Sequence, residues 1–238
     1  MGRGNLNDVD LMRIASRDVE SFLALGAVTT GSNPGKDAVV SLALANAEGD
    51  VLFDRLVCPS EPDNWQGAKI VRGVHMDEAK QAPGIRDLEP EVRKLLSRAS
   101  LLVGYDLDTI LQLLQAAGMT PPSCETFDLK HEYAAAHGRW SEWNKDYTFA
   151  TLYELADKYG YAADDVHDAA EDARAAAAAF RGFVGECRDV VREQGGDLLK
   201  GTRKRTSVVK RLVIVAIMLI LAVAIIAMAA SGLHMALA

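Results

Sequence analysis

Hydrophobic and polar positions along the 238 residues change their rhythm three times. Between Phe22 and Val57 the apolar residues fall in runs of strand length, at 22–28, Ala38–Ala45 and Val51–Val57. Asn46-Ala47-Glu48-Gly49-Asp50 sets turn-forming residues between the last two, so residues 22–58 predict an antiparallel meander. From Pro83 the spacing is mostly helical, interrupted by short apolar strands at 100–104 and near Glu125–Leu129. Residues 149–158 and the Ala-rich 168–186 have helical spacing, and Asn7 or Asp8 is placed to cap a short helix through Ser16. Strands first, then alternating helices and strands, predict a mixed sheet covered by helices, an α/β architecture.

The third regime is continuous. Leu212 to Ala230 are 19 residues without a charge. At 1.5 Å per residue they span roughly 28 Å as a helix, close to the hydrocarbon thickness of a bilayer. A buried core helix is normally shorter and amphipathic, so this run predicts one C-terminal transmembrane helix. Lys200, Arg203, Lys204, Arg205, Lys210 and Arg211 precede it and only eight residues follow. A basic cluster on one flank marks the cytoplasmic side, so a cytoplasmic N-terminal domain is predicted, although such a cluster also suits anionic lipid or nucleic acid. The organisation that follows is an N-terminal extension at 1–20, a folded domain at 21–186, a juxtamembrane linker at 187–211, the span at 212–230 and a tail at 231–238.

Composition adds three constraints. No apolar core of a signal peptide lies between Met1 and Ser21, and Leu6 stands where a myristoylation site needs Ser or Thr. Cys58, Cys124 and Cys187 are isolated and odd in number, which fits reduced thiols better than a disulfide framework or a zinc site. Residues 1–199 hold 20 basic against 33 acidic residues, a net charge of −13. Tight, non-specific nucleic-acid binding usually shows a basic stripe, and this segment has none.

Phe22, Leu23 and Leu25 run into Thr29-Thr30-Gly31, the form of a buried strand ending at a tight turn. Further on come Val71-Arg72-Gly73-Val74-His75-Met76 with Ala82-Pro83, then Phe127-Asp128-Leu129, His131-Glu132-Tyr133 and Gly138-Arg139-Trp140. Leu152 to Gly160 and Val166-His167-Asp168-Ala169-Ala170-Glu171-Asp172-Ala173 complete the series. In this order the segments resemble the DEDDh 3′–5′ exonucleases, the DnaQ-like branch of the ribonuclease H-like fold. The resemblance covers about residues 20–183 and lies in the order of the motifs, each of which is weak alone. It implies a mixed five-stranded sheet flanked by helices.

The resemblance also implies a site, and this sequence departs from it. The family's first motif, Asp-x-Glu-Thr-Thr-Gly, places its two carboxylates where Gly26 and Val28 stand, with Thr29 and Thr30 as substrate-binding residues. Its third motif, His-x-x-x-x-Asp-Ala, is intact in spacing at His167 and Asp172. The second motif admits two alignments over Gly104-Tyr105-Asp106-Leu107-Asp108-Thr109-Ile110. Without a gap, Ile110 takes the place of the catalytic Asp and Tyr105 precedes it as a substrate contact; this version keeps Leu113 and Leu114 on the core side and is preferred. With a two-residue deletion, Asp108 becomes the ligand. Other roles remain open: His167 as a helix cap, Asp172 as a solvated helix residue, Asp106 and Asp108 as turn and N-cap residues. Trp140 and Trp143 are read as packing residues rather than base-stacking platforms.

Two-metal phosphodiester cleavage holds two Mg²⁺ about 4 Å apart, and Mg²⁺ requires hard oxygen ligands in near-octahedral geometry. Asp172 alone is a weak metal site at most. The leading expectation is therefore a membrane-anchored, catalytically degenerate exonuclease-like domain, needing no cofactor, that binds single-stranded nucleic acid at its 3′ end or a protein partner. One alternative is an active 3′–5′ exonuclease using Mg²⁺ or Mn²⁺ on a rearranged site. The other is a membrane-associated protein-interaction module with no nucleic-acid role, which the −13 charge favours.

Overall fold

The computed structural model describes residues 4–59, 70–143, 145–164 and 167–194. Two compact units divide the chain, Met1–Val190 and Val191–Ala238, and the description below concerns the first. The expected span at 212–230 and its basic flank lie outside the described residues; among those described, no helix is long and apolar enough to cross a membrane.

Five strands form the central sheet: β1 (Phe22–Thr29), β2 (Val39–Ala45), β3 (Val51–Leu56), β6 (Leu101–Gly104) and β7 (Glu125–Asp128). Their order is β3-β2-β1-β6-β7. The first three pair antiparallel as the expected meander, while β1–β6 and β6–β7 are parallel. The mixed, helix-flanked sheet anticipated from the sequence is therefore present. Two further strand pairs, β4 (Ile70–Val71) with β5 (Val74–His75) and β8 (Trp140–Ser141) with β9 (Asp146–Tyr147), form separate hairpins. They had no sequence signature, because two residues carry no period.

Helices α3 (Ile85–Leu96) and α4 (Leu107–Ala116) cover one face of the sheet, where Leu25, Ala27, Leu42 and Leu44 meet Leu88, Val92, Ile110 and Leu114. Helix α7, residues 169–190 within this unit, covers the other face. It runs beyond the predicted end at 186 because Cys187 and Val190 continue its buried side. Ala169, Ala170 and Ala173 pack there on Val28, Val40, Ala43 and Ala45, and Phe180 stands edge-on to Phe22 and Phe127 at 4.8 and 5.1 Å. Small side chains on both surfaces let helix and sheet approach closely. β1, central in the sheet, is buried along its length except at Thr29.

Four shorter helices complete this unit. α1 (Asp8–Ala15) is capped by Asn7, whose side chain accepts the Asp10 N–H, as the sequence anticipated. α5 (Leu129–His137) follows β7 directly. α6 (Leu152–Lys158) opens with a reciprocal cap: Thr151 Oγ1 accepts the Glu154 N–H and Glu154 accepts the Thr151 N–H. α2 (Met76–Ala79) is a single turn after β5.

Candidate active site at the end of the central strand

A cavity of 510 Å³ opens where β1 ends between α4, α6 and the start of α7. Its walls include Gly26, Thr29, Arg72, Tyr105, Asp106, Ile110, Tyr153, His167 and Asp172. At Gly26 the sheet and α7 come closest. A Cβ added there would lie 2.1 Å from the Ala169 carbonyl oxygen, 2.5 Å from the Ala173 nitrogen and 2.8 Å from the Asp172 Cβ. Only glycine fits this approach. Two residues on, Val28 is fully buried and packs on the alanines of α7 rather than lining the cavity.

Asp172 sits on the first turn of α7 and is 8% exposed. Arg72, in the turn between β4 and β5, reaches it with both terminal nitrogens: Nη1 donates to Oδ2 at 2.7 Å and Nη2 to Oδ1 at 2.8 Å. Nη2 also donates to the His167 carbonyl at 2.6 Å. This planar fork is the strong form of a charge-assisted pair. Hydrogen bonding to Asp172 raises the Arg72 pKa against the opposing effect of burial, so the guanidinium stays charged. The Tyr153 hydroxyl donates to Oδ1 at 2.5 Å, and burial followed by that bond pushes its pKa far up. The His167 ring leans on the Tyr153 ring, 4.0 Å between centroids. Arg72 holds this position on a left-handed backbone, φ 46°, next to Gly73 at φ 83°.

Across the cavity, Asp106 occupies the N-cap position of α4, also left-handed at φ 56°. Its carboxylate accepts the Thr109 hydroxyl at 2.9 Å and the Lys130 ammonium at 3.0 Å. The N-terminus of α4 is satisfied instead by Asp128 at the end of β7, whose oxygens accept the N–H groups of Asp106 and Asp108. The same carboxylate accepts the Lys130 N–H and so caps α5 as well. Burial pushes the Asp128 pKa up, against these backbone bonds. Tyr105 donates to the Ala150 carbonyl, and burial raises its phenol to about 12.

The predicted site residues separate into two groups. Gly26, Thr29, Tyr105, Ile110, His167 and Asp172 meet at the cavity. Thr30 is outside it, pairing through its hydroxyl and N–H with Ala38; Val28 is in the core; Asp108 is exposed and does not line the cavity. Other readings change too. Asp168, not His167, caps α7 by accepting the Glu171 N–H, and Asp172 is a buried, paired residue rather than a solvated one. Trp143 is 94% exposed and Trp140 51%, so neither is buried by packing. Arg72 was missed as a site residue; the one signal for it, an arginine before a turn glycine, does not say where its side chain goes.

The donor set does not fit a pair of divalent ions. Two carboxylates line the cavity among the described residues, Asp106 and Asp172, and each already faces a cation. One group of three, Asp106, Asp128 and His131, has ligand atoms within 4.8 Å of one another. Its two carboxylates are engaged by Lys130 and Thr109 and by three backbone N–H groups.

No family model and no curated protein matches this sequence. Solved structures do resemble it. The Saccharomyces cerevisiae Pan2 pseudoubiquitin hydrolase–RNA exonuclease module in complex with AAGGAA RNA aligns with a TM-score of 0.50 at 14% identity, over 81% of this chain and 37% of its own. The Neurospora crassa Pan2 catalytic unit, with protease and nuclease domains, aligns with 0.50 at 14% identity, over 77% and 29%. The fold is that of the DnaQ-like 3′–5′ exonucleases. E. coli Exonuclease I in complex with a dT13 oligonucleotide aligns at 17% identity with a TM-score of 0.47, over 73% and 43%. The chain thus spans less than half the length of each of these proteins.

Proposed function

We propose that this chain is a membrane-anchored exonuclease-like domain that binds the 3′ end of single-stranded nucleic acid without cleaving it. The observation that carries the reading is the state of Asp172. The one carboxylate left at the family's ligand positions is held bidentate by Arg72, and α7 leaves no room for a side chain at Gly26. Without a second free carboxylate, neither activation of water nor stabilisation of the leaving oxygen by paired metals has a support. Binding keeps its support: a cavity of ligand size with two tyrosines, a histidine and hydroxyl groups, in a fold shared with a Pan2 module solved in complex with AAGGAA RNA.

Fluorescence polarisation on the full-length chain in detergent tests this. A linear single-stranded oligonucleotide is expected to bind more tightly than a circular one of the same composition; equal affinity for both, or none for either, removes the 3′-end reading. A protein partner is the second reading, favoured by the −13 charge of residues 1–199 and by the exposed Trp143. Anchoring rests on the 19-residue apolar run behind a basic cluster. Release of the chain from membranes by alkaline carbonate without detergent would refute it.

A further inference from the structure

We propose that Arg72 is the cation of this site, so that the terminal phosphodiester is held by a guanidinium and binding does not depend on Mg²⁺ or Mn²⁺. This rests on the reading of the cavity as a nucleic-acid end site.

Three observations converge on Arg72. Its side chain leaves the β4–β5 turn to end inside the cavity on Asp172, the position where the resemblance implies a metal ligand. It is fixed there by the carboxylate fork and by the His167 carbonyl, which hold a left-handed backbone that a non-glycine residue adopts at a cost. The Arg72 side chain nevertheless stays 38% exposed, against 11% for that of Asp172. A ligand entering the cavity therefore meets the cation before it meets the carboxylate. Lys130, the partner of Asp106, does not line the cavity, so Arg72 is the cation among the described lining residues. A guanidinium suits a phosphodiester because its planar N–H array matches two phosphate oxygens. The arrangement has a consequence that a metal site lacks: Asp172 competes with the phosphate for the same donors.

The test measures polarisation of a labelled single-stranded oligonucleotide on the full-length chain in detergent, with EDTA, Mg²⁺ or Mn²⁺. Equal affinity in all three is expected. Arg72→Met is expected to weaken binding at least tenfold and to flatten the slope of log affinity against log salt by about 0.7, the share of one phosphate contact on a single strand. Asp172→Asn is expected to bind as tightly as the wild type or more so, since the competing charge is gone. Binding lost in EDTA, Arg72→Met binding like the wild type, or Asp172→Asn binding more weakly overturns the inference while leaving nucleic-acid binding intact. Absence of binding by the wild type in every condition overturns the proposed function as well. Circular dichroism accompanies each variant, and if Arg72→Met unfolds, the wild-type metal comparison and Asp172→Asn decide.

Discussion

A Cβ at Gly26 has no room, because the carbonyl of Ala169 already lies 2.1 Å from where it would be. Gly26→Ala therefore forces α7 off the sheet, and overpacking of this kind costs about 1–3 kcal/mol; urea denaturation should register that loss. Rebuilding the family's carboxylates with Gly26→Asp, Val28→Glu and Ile110→Asp should unfold the domain before it creates a metal site. Each change sets a charge into a packed place: against α7, into a fully buried core position, and into a position 8% exposed. Recovery of a folded, metal-binding triple variant would show that α7 is free to move away. At this scale the sequence was half informative. The reading of Gly26 and Val28 as missing carboxylates comes from the resemblance, whose motif sets the register around them. That Arg72 pairs with Asp172 was not visible, since it arrives from a hairpin 100 residues away in sequence.

Among the elements, the junction of β7 with α4 and α5 depends on one side chain. Asp128 accepts the N–H groups of Asp106, Asp108 and Lys130, and a lost cap costs typically about 1 kcal/mol. Asp128→Ala should thus lower stability by about 2 kcal/mol, with Asp128→Asn milder; a neutral effect in urea titration would mean the caps contribute nothing. A second junction ties α5, α6 and α7. Buried Glu186 accepts from Lys158 Nζ at 2.8 Å and from the Tyr159 hydroxyl, with His137 Nε2 at 3.4 Å. Burial opposes its charge, but the Lys158 and Tyr159 bonds prevail and its pKa is lowered. Burial also lowers the pKa of His137. Both groups then bind protons less readily folded than unfolded, so stability falls with acid. The His137 contribution is lost as pH drops from about 6.5, and that of Glu186 as pH drops below about 4.3, each through its lowered folded value. Thermal melts from pH 8 to 3 should show a declining midpoint, and Glu186→Gln should flatten the decline below pH 4; a midpoint that rises toward pH 5 would contradict the assignment. The meander, β6, β7 and the helices were legible because their apolar spacing is regular over four or more residues. The two-residue hairpins were not, and one of them carries Arg72.

For the whole molecule, the proposed reading is that a ribonuclease H-like sheet holds a cavity at the end of β1 in which an ion pair stands in place of metal ligands. In the proposed reading this scaffold holds an internal ion pair, Arg72–Asp172, where cleavage would require metal ions. The most direct test of that reading is incubation of the full-length chain in detergent with 5′-labelled single-stranded DNA and RNA in Mg²⁺ or Mn²⁺, resolved on a sequencing gel. Intact substrate is expected with the wild type and with Asp172→Ala alike. A metal-dependent ladder shortening from the 3′ end, abolished by Asp172→Ala, would contradict it.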